Sequence, residues 1–394
     1  MNNYTLSKGR SLPVRQAGAF GRKIGLDLRL FGTAHGGIGR YCEQLFPRLL
    51  KLDKANQYFA FVNSKMLHTG ALKALESLNN CKIVETNARH YSFGEQLSFL
   101  RLLNKYKLDL VHFPNFNMPI FYKRPFVVTI HDMVHHKISG AKKSHLLHFL
   151  AYKKVIETAG RQSKKIITVS QASKKDISNF LQIPNDKIEV IYEAASLSPQ
   201  IQAAKVLEIK KSYLLSSPYF LFVGVLERKK NLINLTRGFD YFLQKYKLKM
   251  DLVLVGKKDP HYPDIKHKAM DIKHKDNLVF ADQVDDEELA ALYSGAYAFT
   301  SASLHEGFGL PGVEALSFGL PLLASNIEVF NEIYDNAAMY FNPLDPADIA
   351  EKMNLLARDK QFYEQMSKKS LERAQKFGWD EAAAATLEVY KQIL

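Results

Sequence analysis

Apolar, β-branched runs recur along this chain, separated by stretches with helical spacing. A first series reads KIGLDLRLF (23–31), YFAFVN (58–63), CKIVE (81–85), LDLVHF (108–113), FVVTIH (126–131), KIITVS (165–170) and IEVIY (188–192). A second reads YFLFVGV (219–225), DLVLVG (251–256), NLVFAD (277–282), AYAFTS (296–301), LPLLAS (320–325) and AMYFN (338–342). These runs are continuously apolar, not alternating, as befits parallel strands covered on both faces by helices. The series occurs twice, so the fold class expected is α/β, with two Rossmann-like doubly wound parallel-sheet domains facing a central cleft. A polar stretch with Pro199 and Pro218 divides the two series. The expected organisation is an arm at 1–22, a first domain at 23–195, a linker at 196–217, a second domain at 218–377 and a last helix at 378–394. Gly378 and Trp379 mark the break before that helix.

Open α/β sheets bind ligands at the carboxyl ends of their strands. A motif with chemistry should therefore follow a strand, and several do. HEGFGLPGVEA (305–315) follows AYAFTS and opens a helix. Pro311 suits a first helical turn, where its missing N–H costs nothing. Gly307 and Gly309 are expected to let the backbone approach a ligand closely. The N–H groups of Phe308, Gly309 and Leu310 point at an anion, aided by the helix dipole. Glu306 lies in the loop, and Glu314 is expected in the first helical turn. Carboxylates accept hydrogen bonds from hydroxyls and repel phosphate, so the ligand that suits both features carries a diphosphate between two polyols. A nucleotide sugar has that layout. The plainer reading is a turn with a favourable charge at a helix start.

LERKKN (226–231), which follows the strand YFLFVGV, supplies Arg228, Lys229 and Lys230, cations able to neutralise a diphosphate leaving group. Asn231 is expected to start the next helix. In HGGIGRY (35–41), Gly36, Gly37 and Gly39 open a helix as a phosphate loop does, or make a tight, closely packed turn. A nicotinamide site would want an acidic residue at the end of the next strand, which ends in Asn63. In TIHDM (129–133), His131 and Asp132 end a strand; an imidazole there can bond a sugar hydroxyl or serve acid–base chemistry. His135, His136, His145 and His148 lack metal-site spacing and read as surface residues. TVSQASKKD (168–176) reads as a helix cap and is given no chemistry.

Composition changes this picture in two ways. The net charge of +14 is uneven: residues 1–196 hold 30 Lys+Arg against 13 Asp+Glu, and residues 197–394 hold 24 against 27. The first half, at +17, calls for an anionic partner or is a solvated lysine-rich surface. Two cysteines, Cys42 and Cys81, are too few for a disulfide framework or a zinc site, and point to a reducing cytosol. No apolar run approaches the ~20 residues of a membrane span, and MNNYTLSKGRSLPVRQAGAFGRK lacks the apolar core of a signal peptide.

Taken in order, GGIGRY, VVTIHD, ITVSQASKKD, FVGVLERKKN, LVLVG, DEELAALYSGA and HEGFGLPGVEALSFGLPLLAS resemble the retaining nucleotide-sugar glycosyltransferases of family 4, of GT-B fold. The likeness runs from about Ile24 to the last helix. It implies that Glu314 binds the donor ribose and Glu306 the hydroxyls of the transferred sugar. Phe308, Gly309 and Leu310 would contact sugar and diphosphate through their backbone. Lys229 and Lys230 would bind the diphosphate, with Arg228, where the family usually has a small residue or proline, beside them. Gly36 and Gly37 would lie near the diphosphate, and His131 would contact the sugar's terminal hydroxyl. The last helix would cross back onto the first domain. Asp282 and Gln283 depart from the family pattern near the base.

The resemblance implies a hexosyltransferase using GDP-mannose, or a UDP-hexose, with retention at the anomeric carbon. No bound cofactor and no metal are expected. The acceptor is a glycan or lipid-linked saccharide held by the first domain, whose positive charge suits an anionic membrane surface. That places the protein in the cytoplasm, peripheral on the inner face of the membrane, in a polysaccharide or lipopolysaccharide pathway. Two other readings keep part of the evidence. One is a sugar-nucleotide epimerase of the same fold. The other is a non-catalytic polyanion binder; no nucleic-acid module with interleaved aromatics supports it.

Overall fold

The computed structural model describes residues 21–32, 35–66, 72–90, 92–133, 146–260 and 262–394. Of the sequence expectations, most of the arm 1–22, His135, His136, His145 and the His148 side chain lie outside the described residues. Each apolar run forms a strand. The first sheet holds β1 (Lys23–Asp27), β2 (Gln57–Asn63), β3 (Cys81–Thr86), β4 (Leu110–Phe113), β5 (Phe126–Thr129), β6 (Lys165–Thr168) and β7 (Ile188–Val190). Their order is β3-β2-β1-β4-β5-β6-β7. The second sheet holds β8 (Tyr219–Val223), β9 (Asp251–Val255), β10 (Leu278–Phe280), β11 (Ala298–Ser301), β12 (Leu322–Ser325) and β13 (Ala338–Phe341), in the order β10-β9-β8-β11-β12-β13.

All strand pairings are parallel, with Leu26 between Ala60 and His112 in one sheet and Phe299 beside Leu322 in the other. The central strands β4, β5, β11 and β12 are buried along their whole length, which is why they read as unbroken apolar runs. The strand order reverses between β1 and β4, and between β8 and β11. Those two switch points are where a doubly wound sheet opens a crevice for ligands.

The connection between the sheets is more than a linker. Within 196–217, the helix Ala203–Ser212 packs against the helix Asp286–Gly295, and Ile209 and Leu215 join the core of the second domain. The last helix, Trp379–Lys391, packs on the helix Gly36–Leu52 of the first domain. Trp379, Ala382, Ala383, Leu387, Val389 and Tyr390 enter the same core as Ile24, Leu26 and Leu45. Burying each large side chain is worth ~1.5–3 kcal/mol. The Tyr390 hydroxyl meets His112 Nδ1 at 2.6 Å, and His112 Nε2 meets Thr129 Oγ1 at 2.8 Å. Burial pushes the His112 imidazole down to about 3, so the ring stays neutral in this bridge.

Candidate active site

After β8 the chain turns through the 3₁₀ segment Arg228–Lys230, closed by bonds from Lys230 N–H to Glu227 O and from Asn231 N–H to Arg228 O. Asn231 adopts φ 55°, which asparagine tolerates, and starts the helix Leu232–Tyr246 as expected. The turn points Lys229 and Lys230 inward and leaves Arg228 exposed. Lys229 O accepts from Leu304 N–H at 2.8 Å, which fixes this turn against the loop after β11.

That loop carries Glu306. Its Oε1 lies 2.5 Å from Lys230 Nζ, and both side chains are 12% exposed. Burial raises the affinity of Glu306 for a proton, but Lys230, Lys229 and a hydrogen bond from Ser303 outweigh it and hold the acid below the ordinary range. Burial pulls Lys229 the other way, yet Glu306, Asp132 and Glu227 raise it above the usual lysine value. The two residues implied to bind diphosphate and the one implied to bind sugar are therefore a single ionised cluster at the β8/β11 switch point.

The helix Leu310–Ser317 begins at this cluster, with Gly309 as its N-cap at φ 94° and Pro311 in the first turn. Among the described residues, the N–H groups of Phe308, Gly309 and Leu310 take no acceptor. The two loop glycines also make room for protein groups. A Cβ on Gly309 would sit 2.3 Å from the Tyr334 hydroxyl oxygen, and one on Gly307 would sit 2.5 Å from the His131 carbonyl oxygen. Gly307 thus makes room for the backbone of the opposite domain, and Gly309 for a side chain of its own. Glu314 lies in the second helical turn and not the first, because the helix starts only at Leu310. It is buried, with Ser196 Oγ donating to Oε1 at 3.0 Å, the Tyr293 hydroxyl donating to Oε2 at 3.3 Å, and Arg40 Nη1 at 3.8 Å from Oε1. Burial raises Glu314 above the usual carboxylate range, only partly offset by Arg40, Ser196 and Tyr293.

The first domain forms the facing wall. His131 packs edge-on against Tyr41 at 4.9 Å. Its Nε2 is 3.0 Å from Pro114 O and its Nδ1 is 3.2 Å from Glu193 Oε1. Both nitrogens face acceptors, an arrangement that favours the protonated ring over a free base. Burial opposes that charge, but Glu193, Pro114 O and Asp132 raise the imidazole above its ordinary value. The His131 backbone, in contrast, touches the donor-side loop: its carbonyl accepts from Ser173 Oγ at 2.9 Å and abuts Gly307. Ser170 Oγ donates to Gly307 O at 2.7 Å, and Ser173 Oγ, its proton shared with the His131 carbonyl, lies 3.2 Å from the same oxygen. The segment given no chemistry from sequence is therefore a clasp on the loop of Glu306. Ser170 also caps the helix Gln171–Leu181, accepting from Ser173 N–H.

Gly36 and Gly37 are exposed at the start of their helix, and among the described residues a Cβ on either meets nothing within 4 Å. The packing glycine of that motif is Gly39, where a Cβ would fall 1.9 Å from Gly32 O. Sequence reasoning missed Arg40, Glu193, Ser196, Asp286 and Tyr293. Arg40 stood in the quoted GGIGRY, and Asp286 and Tyr293 in the quoted DEELAALYSGA; Glu193 and Ser196 carried no local signal.

Comparison with known proteins agrees with this architecture. A model of "Glycosyltransferase Family 4" matches residues 35–198, and one of "Glycosyl transferases group 1" matches residues 207–373. The O-antigen chain mannosyltransferase B of Escherichia coli is 25% identical over 379 residues, 90% of this chain and 96% of that protein. The O-antigen chain mannosyltransferase RfbU of Salmonella typhimurium is 31% identical over 191 residues, 48% of this chain and 50% of that one. The Anabaena protein Alr3699/HepE, solved in complex with UDP and glucose, superposes with a TM-score of 0.72 at 14% identity, over 94% of this chain and 99% of that one. The two family matches meet between the sheets and account for both walls of the cleft, so the chain belongs to the family 4 glycosyltransferases of GT-B fold.

Proposed function

We propose that this glycosyltransferase moves a hexose, mannose first among candidates, from a nucleotide sugar to a glycan or lipid-linked saccharide, with retention of anomeric configuration. The observation that carries the reading is the cluster of Lys229, Lys230 and Glu306 beside the N–H groups of Phe308, Gly309 and Leu310. Cations and amide donors suit the leaving diphosphate; Glu306 suits a sugar hydroxyl, and Glu314 the ribose. GDP-mannose is the first donor to test because the relatives over 90% and 48% of this chain carry the name mannosyltransferase.

In the transfer, the bond from the anomeric carbon to the diphosphate oxygen breaks, and its electron pair stays on that oxygen. The acceptor hydroxyl oxygen attacks from the same face, and its proton passes to the departing phosphate oxygen. No side-chain nucleophile is needed. Glu306 is held by Lys230 and is a weak base, and Glu314 is screened by Ser196 and Arg40. Lys229 and Lys230 supply the charge that a divalent metal supplies elsewhere, so activity should persist in EDTA. His131, with both nitrogens engaged, acts here through its backbone and its charge. Arg228, exposed, extends the positive field toward the phosphates. Gly36 and Gly37 leave the start of the facing helix open to the same phosphates.

The acceptor belongs to the first domain, whose half of the chain carries +17. Among the described residues no helix is long and apolar enough to cross a membrane. Charge-driven docking on the inner membrane face would bring a lipid-linked acceptor within reach. The test is a thermal-shift panel of GDP-mannose, UDP-glucose, UDP-galactose and UDP-GlcNAc, with free GDP and UDP, on wild type and Glu314→Ala. Stabilisation by one donor, lost in the variant, is the result expected. No shift with any donor or free nucleotide would overturn the reading.

A further inference from the structure

Arg40 projects from the helix Gly36–Leu52 of the first domain and reaches the second. Its Nη2 donates to Asp286 Oδ1 at 2.6 Å and its Nη1 lies 3.4 Å from Asp286 Oδ2. Nη1 also donates to Ser196 Oγ at 3.1 Å, and that hydroxyl donates to Glu314 Oε1. The Arg40 side chain is 15% exposed and that of Glu314 4%. We infer that Arg40 is a positioning residue for the donor nucleoside: carried by the opposite domain, it orients Glu314 through Ser196 so that the ribose meets a fixed carboxylate only when the cleft is closed. This rests on the assignment of Glu314 to the ribose hydroxyls.

A carboxylate this buried takes up a proton unless a cation faces it. The charged and titratable groups bearing on Glu314 are Arg40, Asp286 and Tyr293. Tyr293, itself buried and held protonated, contributes only its hydroxyl hydrogen bond. Asp286 opposes ionisation of Glu314, and Glu43, coupled to both Arg40 and Asp286, adds to the acidic surroundings. Arg40 is thus the cation that favours the charged form, and it sits on the other domain. A protonated Glu314 loses an acceptor that a vicinal diol requires. The opening of the cleft removes Arg40 and weakens the ribose site without any contact between Arg40 and the donor.

The experiment is calorimetric titration with GDP and with UDP between pH 5 and 8, on wild type, Arg40→Gln, Arg40→Lys, Asp286→Asn and Glu314→Gln. Wild-type affinity should fall toward acid, and Glu314→Gln should flatten that limb. Arg40→Gln should have its acid limb about one pH unit higher, with binding weaker by up to about tenfold at the acid end of the range. Arg40→Lys should restore most of the limb, which also shows that the site folds without the guanidinium. Asp286→Asn breaks the bridge between domains but keeps the charge on Glu314, so its limb should not rise. A wild-type profile for Arg40→Gln, or equal losses for Arg40→Gln and Asp286→Asn, would reduce Arg40 to a strut and overturn the inference. Failure of wild type to bind either nucleotide at any pH would overturn the ribose assignment and the inference with it.

Discussion

Gly307→Ala tests how tightly the two domains must close. Gly307 is not in the left-handed region, so alanine brings no backbone strain of its own. Its Cβ would lie 2.5 Å from His131 O, 3.1 Å from His131 C and 3.2 Å from Asp132 Cβ. An ordinary contact starts near 3.4 Å, so about 0.9 Å of separation is needed. The obstacle is backbone, and no side-chain rotation relieves it. Either the cleft opens or the loop of Glu306 bends. Both stretch the contacts from Ser170 Oγ and Ser173 Oγ to Gly307 O, now 2.7 and 3.2 Å. Overpacking of this kind costs ~1–3 kcal/mol, which depopulates the closed form by roughly 5- to 150-fold. The assay is steady-state transfer with the donor found in the nucleotide-sugar panel, read beside urea unfolding. kcat/KM should fall in that range while unfolding of each domain changes little, because no core residue is touched. Wild-type kcat/KM in Gly307→Ala would refute the claim that this contact is part of the working geometry.

Two further outcomes are expected. Glu306→Gln leaves Lys229 and Lys230 together without their main counter-charge, costing of order 3 kcal/mol. Free diphosphate should then stabilise the variant more than wild type; an equal or smaller thermal shift would refute the pairing seen at 2.5 Å. The raised imidazole of His131 makes stability pH-dependent in a defined direction. A group raised on folding contributes fully below its unfolded value, near 6.5, and loses that contribution as pH climbs through its folded value. Glu193→Gln should therefore destabilise the protein more at pH 6 than at pH 9 in urea unfolding. Equal losses at both pH values would refute the ion pair.

Much of the fold was legible because a buried parallel strand must be apolar on both faces. The β4 segment LVHF and the β11 segment AFTS are buried along their whole length, and each is followed by a turn signal, Pro114 after one and Gly307 and Gly309 after the other. The same logic located Lys229, Lys230 and Glu306, each just beyond a strand end. What escaped depended on pairing across the cleft. Arg40 and Asp286 are 246 residues apart, and no spacing links them. Glu193 lay at the end of the first domain and Ser196 at the start of what looked like connection, although one holds His131 and the other holds Glu314. The glycines of the loop read as places where the backbone meets a ligand closely, and in the fold protein groups crowd them as well. Which atoms approach, the His131 carbonyl and the Tyr334 ring, is a fact of tertiary structure.

The bond between His112 and Tyr390 joins positions 278 residues apart, and it bears on the order of events during synthesis. The first domain emerges from the ribosome with one face of its core uncovered. The covering helix, Trp379–Lys391, is made only after the whole second sheet. Domains usually fold as units from the N-terminal side, and long-range closure is slow. Here the second domain has its core residues in hand before the first can finish. A nascent chain halted inside the second domain would display the apolar surface around Ile24, Leu45 and Leu49 to chaperones and proteases. The last helix therefore certifies, by covering that surface, that translation has passed through the donor-binding half.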